Sequence, residues 1–374
     1  MTQRLRQILA DLVRIDSVSS RSNVEIIEYL ERRCEALNLI TRRYPYTDEH
    51  GVEKINLIAL TAETDEVELA LVGHTDTVPY DPHWSEATNL TERDGKLYGR
   101  GSCDTKGFIA AALTAVENVK ITKPLALIFT ADEEIGLRGA KQLAQAKPLR
   151  VRYSIVGEPT SLQPIRAGKG YSLAEVIVKG REAHSAYPAL GASAVFRAAR
   201  LINRLESIAE QLKHDQHDAF DPPYTTLNIG LIHGGSAKNV LAGECRFTLE
   251  WRPIPTQPSE HVLELFRAAI DAEQQIDPEF ECEVDANRQD TGFETSPDSP
   301  LIKLLESASG NKSGTVAFGT EAAQMMALGS ESVVIGPGDI REAHRTGEFV
   351  PIHELEHCAE ILRQAVRKIC GAGE

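Results

Sequence analysis

Apolar positions along this chain follow two rhythms, which alternate. Residues 3–14 and 23–38 repeat apolar side chains every three to four positions, the period of a helix with one buried stripe. Short, nearly unbroken apolar runs follow at 55–60, 67–72, 125–130 and 153–156, each bounded by turn residues, with helical segments at 107–119 and 139–146 between them. Short continuous apolar strands alternating with helices predict an α/β domain whose sheet carries helices on both faces. The middle of the chain changes character. Residues 171–179 alternate as a half-buried strand, 192–212 form a long amphipathic helix, and 224–232 and 245–251 read as two further strands. A helix at 259–273 and a strand at 280–284 complete the order β-α-β-β-α-β, the ferredoxin-like arrangement. Residues 171–287 therefore read as a small α+β domain inserted into a larger one made of 1–170 and 288–374, where a helix at 301–309 and a strand at 333–335 resume the first pattern.

Composition narrows the function classes. Of the 374 residues 42% are hydrophobic, enough for a sizeable core, and the formal charge of −15 disfavours nucleic acid, whose readers carry basic faces. No apolar run approaches the roughly 20 residues of a membrane span. The N-terminal pattern is amphipathic and lacks the apolar region of a secretory signal. Six scattered cysteines without CxxC spacing fit reduced thiols in the cytoplasm, so any metal ligands should be histidine and carboxylate.

The candidate chemistry sits at strand ends. VELALVG runs into His74 and Asp76, PLALIFTA into Asp132, Glu133 and Glu134, YSIVG into Glu158, and SVVIGPG precedes a loop with His344. In α/β sheets, ligands bind beyond the carboxyl ends of the strands. Asp104 lies in the glycine-rich GRGSCDTKG, just before a helix, where the positive dipole end favours a carboxylate. Taken singly, each has an ordinary reading: Asp104 as a helix cap, Glu133 and Glu134 as the start of a solvated helix, Glu158 before Pro159 as a turn. Together they gather acids at one rim, where a cation is the economical remedy for their repulsion. Two histidines and three carboxylates without thiolate suit two zinc-like ions sharing a bridging carboxylate.

GHTDTVP, GRGSCDTKG, TADEEIGLRGA, VGEPTSLQPIRAGKG, GREAHSAYP, IHGGSAKNV and GPGDIREAHRTGEF resemble, in order and across essentially the whole chain, motifs of the di-zinc metallopeptidase and aminoacylase family. EPTSLQPIRAGKG, TLNIGLIHGGSAKN and GPGDIREAH are most similar to the branch that deacetylates N2-acetylornithine. The resemblance implies a zinc-exopeptidase-like catalytic domain with a mixed sheet, an inserted lid that also dimerises, and hydrolysis of an N-acyl amino acid as the small-molecule substrate. It implies two Zn2+, with Co2+ or Mn2+ as substitutes. Asp104 would bridge them, His74 and Glu158 binding one, Glu134 and His344 the other. Glu133 would be the general base, Asp76 the partner that orients His74, and His184 an oxyanion donor working across a dimer interface. Asn239 and Arg252 resemble family residues near the substrate carboxylate, a polar loop and a strand-end salt bridge being their other readings, and Lys169 either serves similarly or lies at the surface. Glu321, in FGTEAA, is a candidate for the ornithine ammonium group, or else a solvated acid near a helix start. Acetylcitrulline, succinyl-diaminopimelate or N-acyl amino acids in general are alternative substrates. A catalytically silent amino-acid-binding protein is the alternative of another class. Cys103 and Thr105 depart from the residues common in relatives, and Cys103 reads as packing or as a reactive thiol beside Asp104.

Overall fold

A computed structural model describes residues 2–372. The chain divides into two compact units, one comprising Met1–Arg166, Glu294–Gly314 and Thr320–Glu374, the other Ala167–Phe293 and Thr315–Gly319.

The first unit is built on a mixed sheet, with strands where the apolar runs predict them. Strand Ile40–Thr47 pairs antiparallel with Glu53–Leu60, which pairs antiparallel with Leu125–Thr130. From there Leu125–Thr130, Glu66–His74, Arg150–Val156 and Glu331–Val334 lie side by side and parallel. Register decides what this does for the site. Thr130 stands opposite His74, Val156 opposite Val72, and Val334 opposite Val156. The four chains therefore leave the sheet at one rim, carrying His74, Glu133 and Glu134, Glu158, and the loop of His344.

Alternate strand residues such as Leu69, Leu71, Leu127 and Ile155 join a core with helices Thr2–Arg14, Lys106–Val116 and Ile352–Cys370. Helices Arg138–Ala146 and Ala322–Met326 pack on one another and on the sheet outside that core. Helix Lys106–Val116 is buried along its whole length, so its apolar sequence has no polar face. It approaches the sheet where two glycines allow it: a Cβ on Gly73 would stand 3.0 Å from Ile109, and one on Gly157 would fall 2.2 Å from Phe108. Those glycines immediately precede His74 and Glu158. Close helix–sheet contact thus brings the Asp104 loop, which opens this helix, down onto the strand ends.

Several parts of this unit extend beyond the sequence expectation, among them strand Ile40–Thr47 and helix Ala322–Met326. The 19-residue helix Ile352–Cys370 buries Ile352, Leu355, Cys358, Ala359, Leu362 and Val366 at helical spacing, but alanine and cysteine dilute that stripe. Short strands Thr91–Arg93, Lys96–Tyr98 and Phe349–Pro351 form a small separate sheet, too brief to leave a periodic signal.

The second unit follows the β-α-β-β-α-β order. Its sheet runs Thr226–Gly234, Glu244–Arg252, Tyr171–Lys179, Cys282–Asp290, all antiparallel, with helices Ala194–Leu212 and His261–Ile276 packed together over its apolar face. The final strand continues to Asp290, past the expected end at 284, because it is an edge strand with a bulge between Asp285 and Arg288. Polar residues suffice along such an edge, so the apolar pattern ends before the strand does.

Replacing Gly157 by alanine should force Phe108 out of its seat and cost about 1–3 kcal/mol. Chemical denaturation measures this; an unchanged midpoint would show that the helix does not depend on the glycine.

Candidate metal centre

His74 and Asp104 meet first. His74 Nε2 lies 2.9 Å from Asp104 Oδ1, while Asp104 Oδ2 lies 3.1 Å from His344 Nε2, so one carboxylate spans two imidazoles. His344 Nε2 is also 3.1 Å from Glu134 Oε1. Two sets of potential ligands result, each with its donor atoms within 4.8 Å of one another: His74, Asp104 and Glu158, and Asp104, Glu134 and His344. The five residues that sequence reasoning nominated as ligands converge, and Asp104 belongs to both sets.

The donor chemistry fits divalent cations. Around a tetrahedral zinc with bonds of about 2.0–2.1 Å, neighbouring ligand atoms stand roughly 3.3 Å apart. The observed separations of 2.9–3.1 Å are close to that and need only a small opening. Oxygen and imidazole donors without thiolate match a hydrolytic site better than a structural zinc site, which usually closes with Cys and His.

Electrostatics points the same way. Burial, with the charges of Glu134, Glu321 and Asp104 added, pushes the Glu133 carboxyl well above its ordinary range. Burial and the charges of Asp104, Glu133 and Glu321 do the same to Glu158. Burial also opposes ionisation of Asp104, yet hydrogen bonds from His344 and His74 hold its pKa below the usual carboxylate value. Hydrogen bonds to Asp104 and Glu134 push His344 up to about 10. Burial works against a charged His74, but Asp104 and Asp76 outweigh it and raise its pKa well above normal. Without metal, protons on the imidazoles and on some carboxyls neutralise the excess negative charge.

Asp76 holds the two halves together. The nearest partner of His74 Nδ1 is the Asp76 carbonyl at 3.0 Å, with the carboxylate at 3.6 Å. That carboxylate accepts the N–H groups of Glu133 at 3.1 Å and Glu134 at 3.3 Å, and the Ser19 hydroxyl at 2.7 Å. The orienting role expected for Asp76 therefore runs through its main chain, while its side chain fixes the turn carrying Glu133 and Glu134. Asp132, the first acid of that run, points elsewhere. It accepts from Lys54 at 2.6 Å and Tyr46 at 2.9 Å, and its φ of 56° starts the turn. Lys54, Tyr46 and Ser19 lie far from the motifs in sequence and carry no signal there.

The other nominated residues separate. Glu321 is 1% exposed, so it is no solvated acid, and its Oε1 has no hydrogen-bond partner. Burial raises its pKa to about 7, and its charge is felt at Glu133 and Glu158. Lys169 requires correction. It is buried, and its ammonium donates to the carbonyls of Pro222 and Tyr224 at 2.7 and 2.6 Å. It braces a loop of the second unit, which overturns its reading as a surface residue. Arg252 donates to Glu250 and stacks on Tyr171, whose ring Arg288 also contacts. His184 and Asn239 are exposed on neighbouring loops of the second unit, joined by the Ser185 N–H to the Asn239 carbonyl at 3.0 Å. His184 Nδ1 accepts the Ala186 N–H at 3.1 Å. Cys103 is buried with its thiol pushed well up by burial and nearby acids, which makes it inert packing.

The model of peptidase family M20/M25/M40 matches residues 70–368. The chain belongs to that family. It is a metal-dependent amidohydrolase. An acetylornithine deacetylase of Myxococcus xanthus is 51% identical over 371 residues, covering 98% of both chains. Among solved structures, a tripeptidase from Staphylococcus aureus superposes with a TM-score of 0.76 at 23% identity, covering 99% of this chain and 98% of the other. A dinuclear metal-binding M20 peptidase of Bacillus subtilis gives 0.65 at 14% identity, covering 98% of each. These structural likenesses show the shared fold.

Because cations must displace protons from His74 and His344, their affinity should rise from about pH 6 to about pH 9, with proton release on binding. Calorimetry in buffers of different ionisation enthalpy measures both; pH-independent binding without proton release would contradict this electrostatic account.

Proposed function

We propose that this protein hydrolyses the amide of N2-acetyl-L-ornithine to L-ornithine and acetate, a step of arginine biosynthesis, and that it works in the cytoplasm. The supporting observation is a full-length likeness to an acetylornithine deacetylase, in a chain that keeps two ligand sets sharing Asp104. Cytoplasmic placement accords with six free thiols and with the lack of any helix, among the described residues, long and apolar enough to cross a membrane.

His74, Asp104 and Glu158 would hold one Zn2+, and Asp104, Glu134 and His344 the other. Bound there, the cations supply a Lewis acid for the amide carbonyl and a water acidic enough to react near neutral pH. Glu133 takes the proton of the attacking water and delivers it to the departing amine; a carboxyl whose pKa burial has raised suits both transfers. Asp76 keeps Glu133 in place through its main-chain N–H. His184 donates to the oxyanion, a contribution of about 3–4 kcal/mol for such a donor. Arg252 and Asn239 orient the substrate carboxylate, a guanidinium being suited to bidentate recognition. The partnerless oxygen of Glu321 suits the ornithine ammonium group.

The homodimer belongs to the same reading. Strand Thr226–Gly234 is an edge strand that exposes Leu231 and Ile232, and the same unit exposes Tyr187, Leu190 and Phe196. Apolar side chains beside an open edge favour pairing with a second copy across a two-fold axis.

Steady-state kinetics of the zinc-loaded protein on acetylornithine, acetylcitrulline and succinyl-diaminopimelate should favour acetylornithine in kcat/KM. Glu133→Gln should lower kcat at least about 100-fold with two metals still bound. Glu321→Gln should narrow the preference for acetylornithine over acetylcitrulline. A stronger preference for another substrate would replace the assignment, and near-normal turnover by Glu133→Gln would remove the base.

A further inference from the structure

Asp104 and His344 differ from His74 and Glu158 in what carries them. His74 ends a strand and Glu158 follows one by two residues, whereas Asp104 and His344 lie in loops. Something other than sheet hydrogen bonding must hold those loops at a fixed separation. Glu348, four residues after His344 and fully buried, meets this need.

Its carboxylate is shared between backbone and charge. Oε1 accepts the N–H groups of Cys103 at 3.0 Å and Asp104 at 3.1 Å, and Oε2 accepts from Arg100 at 2.6 Å. Its main chain closes the loop on the other side. The Glu348 carbonyl accepts the Gly99 N–H at 3.1 Å, and its own N–H donates to the Arg345 carbonyl at 3.3 Å. Immediately beyond it, Phe349–Pro351 pairs with Lys96–Tyr98, anchoring the segment on the strand that leads into GRGSCD. One residue therefore joins the loop of the shared carboxylate to the loop of His344.

A buried acid beside Asp104 is a costly choice for a merely structural tie, since a neutral acceptor would add no negative charge there. Arg100, itself 4% exposed, offsets that charge and lies in the same loop as Asp104. Its guanidinium and two main-chain N–H groups engage both oxygens of the Glu348 carboxylate, which resists rotation of the side chain.

We infer that Glu348, neutralised by Arg100, is a positioning residue that fixes Asp104 and His344 relative to one another and thereby governs the cation held by Asp104, Glu134 and His344. This rests on the two-cation reading proposed above. The effect is selective because Glu348 ties down two of the three ligands in that set, Asp104 and His344, against Asp104 alone in the set of His74, Asp104 and Glu158. Partners that orient metal ligands typically govern affinity by about 10–100-fold.

Calorimetric titration of the metal-free protein with Zn2+ tests the inference, with wild type compared to Glu348→Gln. Because the single variant leaves Arg100 buried and unpaired, Arg100→Met combined with Glu348→Gln serves as a charge-neutral second variant. Both should bind one cation within about threefold of wild type and lose about 10–100-fold in affinity for the other. Their kcat should fall in step with occupancy at low zinc and recover toward wild type at high zinc. Two cations bound with unchanged affinity, or equal weakening of both, overturns the inference while leaving the two-cation reading in place. Wild-type protein that takes up fewer than two cations overturns that reading and this inference with it.

Discussion

The arrangement of this protein follows from negative charge crowded at one rim of a sheet. Asp104, Glu133, Glu134 and Glu158 gather where four parallel strands end, and the charge of Glu321 is felt at Glu133 and Glu158. Two carboxylates about 4 Å apart repel by about 4 kcal/mol at an effective dielectric near 20. Domain stability is only about 5–15 kcal/mol, so several such pairs cannot all stay ionised without compensation. Imidazoliums and carboxyl protons supply it in the metal-free protein. Two divalent cations would supply it while leaving a reactive centre.

Much of the design concerns how that crowd is held. Parallel register aligns the strand exits, and Gly73 and Gly157 let helix Lys106–Val116 settle onto them. Loops cannot use register. The turn of Glu133 and Glu134 hangs from the Asp76 carboxylate and begins at Asp132, which Lys54 and Tyr46 hold. The Asp104 loop hangs from Glu348. Each loop that carries a reactive acid is thus fixed by another buried acid, which in turn is satisfied by a cation, a hydroxyl or main-chain N–H groups. These supports lie outside the centre and act on it through backbone position.

Apolar runs ending in His, Asp or Glu make the sheet and a rim of candidate ligands legible, and alternating strands reveal the inserted ferredoxin-like segment. The choice of His74, Asp104, Glu134, Glu158 and His344 among the candidates comes from the family resemblance. His74 and Glu158 can be read from their own strands, and Glu134 as one of three acids that follow a third. The supports were not legible. Lys54 looks like a solvated strand residue and Glu348 like a loop acid, and only the fold brings them to Asp132 and Asp104. The surface alternative for Lys169 fails for a related reason, since only the fold brings its ammonium against two carbonyls. Helix Ile352–Cys370 went unread because alanine and cysteine weaken its stripe.

The central claim is that Asp104 is shared by two cations. Anomalous diffraction from crystals of the zinc-loaded protein addresses it directly. The account predicts two peaks about 3.5–4 Å apart, with Asp104 between them. A single peak, or two peaks that Asp104 does not join, would contradict it.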